Sequence, residues 1–125
     1  VYSQFKTNSL NLLLTTYFGL LNENFPWVNQ LPVQGIHIDF SSNINAILDI
    51  ANALAPGKVL SAGVINGRNI WKTDLTNVIT ILQNAKKILD ERLWIATSCS
   101  LLHVPVTLDN EKNLDPEIKN WFAFA

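Results

Sequence analysis

The chain has 125 residues, 48% of them hydrophobic, with 9 basic and 10 acidic residues and a net charge of −1. That suffices for one domain with a packed core, but the charges are too few and too scattered for the footprint of a nucleic-acid or anionic-membrane binder. No apolar run approaches the ~20 residues of a bilayer span. Residues 1–10 lack the apolar segment of a secretory signal. The lone cysteine, Cys99, allows no internal disulfide, so a soluble cytoplasmic protein is expected. Valine at the first position and the lack of any methionine point to a piece of a longer polypeptide.

Val1 to Leu10 is polar and weakly periodic, which suits a helix tail or a lead-in. Leu12 to Phe18, closed by Gly19, reads as a first strand buried on both faces of a parallel sheet. Leu20 to Gln30 follows as a short helix ending before Pro32, with Asn22 as its cap and Pro26 limiting where it can begin. Gly35 to Phe40 alternates and ends in Ser41-Ser42-Asn43, a second strand with a turn and cap cluster behind it. Ile44, Ile47, Leu48, Ala51 and Leu54 recur at helical spacing until Pro56-Gly57 stops them.

Lys58 to Ile65 is the third strand, and Asn66-Gly67 breaks it. Thr73 to Leu89 carries Leu75, Val78, Ile79, Leu82, Ala85 and Leu89 on one face. Asp74 near its start and Lys86-Lys87 near its end match the helix dipole. Leu93 to Ala96 is the fourth strand, and Leu101 to Leu108 is irregular around Pro105. Asp115-Pro116-Glu117 has the cap, the proline and the acid of a helix start that leads on to Ile118, Trp121 and Phe122.

Four strand-then-helix units predict an α/β fold with a parallel sheet, equivalent to half of a (β/α)8 barrel and occupying residues 1–125 as one domain. An open doubly wound sheet is the alternative, although no glycine-rich phosphate loop supports a dinucleotide site. In either, polar chemistry belongs at the carboxyl ends of the strands. The candidates there are Asp39, Asn66, Arg68, Cys99 and His103.

Arg68 stands out, because a guanidinium just past a strand end can grip a substrate anion or a neighbouring carboxylate. A structural pair with Asp39 is the preferred expectation. Asp39 is otherwise a helix cap. Cys99 reads as a small buried hydrophobe with only His103 as a possible base. His37, between Ile36 and Ile38, is expected in the sheet wall with its ring hydrogen-bonded. Trp71, Trp94 and Trp121 read as core or interface residues.

The runs LLLTTYFG, PVQGIHIDF, KVLSAGVINGRNIW, LWIATSCSLLHVPVTL and LDPEIKNWFAFA, in that order, resemble the amino-terminal barrel of the cobalamin-independent methionine synthases, and more closely its second half. The resemblance implies a two-barrel enzyme that moves a methyl group from methyltetrahydrofolate to homocysteine, with zinc holding the substrate thiol as thiolate. It also implies zinc ligands in the other, carboxy-terminal barrel: a His-x-Cys pair, a Glu and a Cys. Laid on this chain, the His-x-Cys strand falls on Leu12 to Phe18, where Thr15, Thr16 and Tyr17 stand. The Glu strand leaves Asp39, and the last strand leaves Cys99. Two candidate ligands of four predict neither a zinc centre nor a catalytic residue in this chain. An isolated half-barrel has two unpaired edges, so its expected partner is a second copy or the missing remainder of the enzyme.

Overall fold

The computed structural model describes residues 2–5 and 10–123, so the expected lead-in at residues 1–10 lies largely outside the described residues apart from a 3-10 turn at Tyr2–Phe5. Four strands form one sheet: β1 Leu13–Thr15, β2 Gly35–Asp39, β3 Val59–Ile65 and β4 Leu93–Thr97. They are all parallel and stand in the order β1-β2-β3-β4. The helices between them are α1 Phe25–Asn29, α2 Ala46–Ala53 and α3 Leu75–Leu89, and α4 Pro116–Lys119 follows β4. A doubly wound sheet reverses direction part-way, whereas here every crossover steps to the next strand. Right-handed crossovers therefore keep α1 to α3 on one face, which is the winding of half a (β/α)8 barrel.

The core lies between the sheet and those helices. Ile36, Ile38, Phe40, Leu60, Ala62 and Val64 are buried from the sheet, and Ile47, Ala51, Val78, Ile81, Leu82, Ala85 and Leu89 are buried from α2 and α3. Helical spacing gives each helix a buried stripe, the main stabilising contribution of the fold, but on α3 the stripe takes in Ile81 and leaves the expected Leu75 and Ile79 exposed. Asp74 caps α3 by accepting from the Thr76 and Asn77 amides, and Lys86 and Lys87 sit in its last turn. Beneath the sheet, Lys58 Nζ donates to the carbonyls of Leu31 and Val33, both at 2.6 Å. This ties the start of β3 to the loop before β2.

The opposite face of the sheet is set by register. Leu13, Gly35 and Val59 form one rung across the strands, Thr15, His37, Ser61 and Trp94 the next, and Asp39, Gly63 and Ala96 the last. Gly35 and Gly63 have no space for a side chain. A Cβ on Gly35 would lie 2.8 Å from a Leu13 methyl, and one on Gly63 would lie 2.9 Å from Ser98 Cα.

Three expectations are corrected. The first strand spans three residues rather than seven, and Leu13 and Thr15 are exposed, because β1 is an edge strand paired on one side only. Asn22 does not cap a helix; it sits at φ 45° in a 3-10 turn before α1, and Pro26 occupies the first turn of α1. The last helix stops at Lys119, although Asp115 caps it as expected. The chain then folds back so that Phe122 bridges to Trp71, their rings stacked at 5.0 Å.

Candidate functional site at the strand ends

Asp39 closes β2 with a side chain fully withdrawn from solvent. Its Oδ1 accepts from the Ser41 amide (2.9 Å) and the Ser41 hydroxyl (2.6 Å), and its Oδ2 accepts from Arg68 Nη1 at 2.7 Å. Arg68 Nη2 also donates to Ser41 Oγ at 3.2 Å. Burial pushes the Asp39 carboxyl up, but the two Ser41 donors and the Arg68 guanidinium together bring it below its ordinary value. The same ion pair raises Arg68. Asp39 is therefore a carboxylate with both oxygens engaged inside the protein.

Local chemistry places Arg68. After β3 ends at Ile65, Asn66 Oδ1 accepts the Arg68 amide at 2.9 Å in an Asx turn. The Gly67 amide donates to Ser98 Oγ at 3.1 Å, and a Cβ on Gly67 would meet the Cys99 carbonyl at 2.9 Å. From this tight turn the guanidinium reaches back to Asp39 and lies 5.4 Å from the centre of the Phe18 ring. Phe18 is held at φ 65°, an uncommon conformation for a bulky residue, and is 83% exposed; Gly19 beside it has φ 112°. His37 is buried in the sheet wall, with Nδ1 3.0 Å from Ser61 Oγ and Nε2 3.3 Å from the Ser98 carbonyl oxygen.

The structure brings three of the five candidates round one pocket of about 410 Å³, where Arg68, Cys99 and His103 join Tyr17 and Phe18. Asp39 lies behind Arg68, outside that lining. Asn66 spends its side-chain oxygen on the turn. Cys99 Sγ donates to the Ser100 carbonyl at 3.6 Å, and no hydrogen bond to His103 is found among the described residues. The pocket therefore has a fixed cation and two aromatic rings, but no base positioned on a nucleophile. Four contributors carry no signal that singles them out in the sequence: Ser41, Ser98, Tyr17 and Phe18. Ser41 reads as part of a turn cluster, but a hydroxyl two residues after a strand-end acid is placed to bond it.

Among the described residues, no three of His, Cys, Asp and Glu converge to hold a metal ion. With both Asp39 oxygens already engaged, the residues present do not fit the zinc that the resemblance implies for the family.

Fold and site together define a parallel α/β half-barrel whose strand-end carboxylate is neutralised internally. The profile of the family described as cobalamin-independent synthase, N-terminal domain, matches residues 1–90, and the chain belongs to that family. Two similar curated proteins are both named 5-methyltetrahydropteroyltriglutamate–homocysteine methyltransferase. The one from Coxiella burnetii (strain Dugway 5J108-111) is 48% identical over 124 residues, covering 99% of this chain and 16% of its own length. The one from Xylella fastidiosa (strain M23) is 52% identical over 115 residues, covering 91% and 15%. The chain thus spans about one sixth of the length of these relatives.

Proposed function

We propose that the chain is the second half of the amino-terminal barrel of a methionine synthase and serves it as a scaffold. The enzyme so completed transfers a methyl group from methyltetrahydrofolate to homocysteine in the cytoplasm, with zinc held by its other barrel. The observation that carries this reading is the Asp39–Arg68–Ser41 cluster. The acid that ends β2, the residue there that could hold a metal or move a proton, is consumed by an internal cation and a hydroxyl. The chain's partner in this role is the remainder of the enzyme, which supplies the missing strands.

The test is to express the enzyme without this segment and supply the chain in trans, following methyl transfer and zinc content. The chain alone is expected to be inactive and free of zinc, and to restore activity when mixed with the remainder. Stoichiometric zinc in the isolated chain, or a remainder equally active without it, would overturn the reading.

A second reading treats the pocket of Arg68, Cys99 and His103 as a vestigial site for a small anion or thiol, favoured by its place at three strand ends. Titration with homocysteine or inorganic phosphate, followed by amide chemical shifts, tests it. Saturable shifts at Arg68, Cys99 and His103 support this reading, and unchanged spectra at millimolar ligand remove it.

A further inference from the structure

We propose that the isolated chain closes its barrel with a second copy of itself, β4 of each protomer pairing in parallel with β1 of the other. This rests on the half-barrel reading above and names the partner its open edges accept when the rest of the enzyme is absent.

Three observations select a second copy. The edges are complementary in sense: all four strands are parallel and in sequential order, so β1 of a partner can follow β4 as β2 follows β1. A twofold axis then joins both pairs of edges at once and leaves none open, which an added strand from an unrelated chain cannot do. Second, the edges are apolar where a soluble edge is normally charged or blocked: β1 exposes Leu13, while β4 exposes Trp94 (53%) and Ile95 (65%).

The third observation is the face opposite the helices. Small and large side chains alternate along the four-strand rung Thr15, His37, Ser61, Trp94, and in the three-residue rung beside it Gly35 stands between Leu13 and Val59. Alternation of this kind lets side chains from facing strands of a barrel interdigitate. The half-barrel holds only half of that interior, and an unfilled pocket of about 390 Å³ lies over Gly35 between Leu13, Val59 and Trp94. On the four-strand rung, a second copy sets a small Thr15 beside each large Trp94, which keeps that rung's alternation in step across both new junctions. The partner's own large residues then face the pocket, and Trp94 becomes the central anchor of each interface.

The experiment is light scattering on the 125-residue chain as it leaves a size-exclusion column, over a hundredfold range of concentration. A mass of twice the 14.0 kDa chain is expected. Trp94→Glu should weaken the dimer at least about 30-fold while far-UV circular dichroism stays native, because Trp94 is exposed in the protomer. Trp94→Phe should keep the dimer. A cooperatively folding monomer at every concentration overturns the proposal. So do larger aggregates, and so does a dimer indifferent to Trp94→Glu. A monomer that still complements the rest of the enzyme overturns the dimer alone. A dimer that fails to complement it overturns the scaffold reading alone.

Discussion

Arg68 and Asp39, 29 residues apart in sequence, meet at 2.7 Å because adjacent parallel strands deliver them to the same end of the sheet. The carboxylate is fully buried and the guanidinium about one third exposed, so the pair bridges interior and solvent. Removing one partner does not cost the same as removing both.

Arg68→Met leaves the Asp39 carboxylate buried with only Ser41 to bind it. The expected loss is about 2–3 kcal/mol, below the ~3–5 kcal/mol of a fully buried pair because water can enter where Arg68 stood. Arg68→Met with Asp39→Asn should recover at least half of that loss. Urea unfolding of the single and double variants measures it. A single variant within about 0.5 kcal/mol of wild type would show that the pair contributes nothing.

The pH dependence follows from the same carboxyl. Its folded value is depressed below the ~3.9 of an unfolded Asp, so the stability it contributes is fully present above that value and is lost as pH falls through the folded one. Stability should drop more steeply below about pH 4 in wild type than in Asp39→Asn. Equal slopes for the two proteins in acid denaturation would contradict the assignment.

Lys58 runs the other way. Burial lowers its ammonium below the ordinary ~10.4, so the folded state releases that proton before the unfolded state does. Stability attributable to Lys58 therefore rises as pH climbs from its folded value toward ~10.4. The difference in unfolding free energy between wild type and Lys58→Met, measured from pH 7 to 10, should shift in favour of wild type. A difference that stays flat would place the ammonium in water.

Gly63→Ala tests the tight packing at the strand ends. Its Cβ would lie 2.9 Å from Ser98 Cα and 3.0 Å from the Ile38 carbonyl, both backbone atoms that cannot swing aside. A cost of about 1–3 kcal/mol is expected. Gly57→Ala is a different case: it has open space and suffers only from its φ of 80°, so its cost should be smaller, about 1–2 kcal/mol. Thermal melts of the two variants rank them, and the reverse order would refute the packing argument.

Much of the fold was legible because its determinants are local. A period of 3.6 marks α2 and α3, alternation marks β2, and β-favouring apolar residues mark β3. Asp74 and Asp115 announced helix starts, and Asn66-Gly67 announced the end of β3; each was found within a residue or two of its expected place. Strand-end placement also puts Arg68 within reach of Asp39, since both follow from where a parallel strand stops. Composition and chain order were therefore enough to define the four βα units.

What the sequence could not decide depends on neighbours. The apolar run from Leu12 to Phe18 reads as a doubly buried strand, yet β1 has a partner on one side only. Burial is a property of the surrounding strands and is not written in the run itself. The candidate site was sorted in the same way. Asp39 and Asn66 spend their side-chain oxygens on Ser41, Arg68 and the turn, while Arg68, Cys99 and His103 line a pocket with Tyr17 and Phe18. Residue types and spacing define which groups are available at the strand ends. Only the tertiary structure decides which of them have already spent their hydrogen bonds on the protein, because that depends on contacts between strands far apart in the chain.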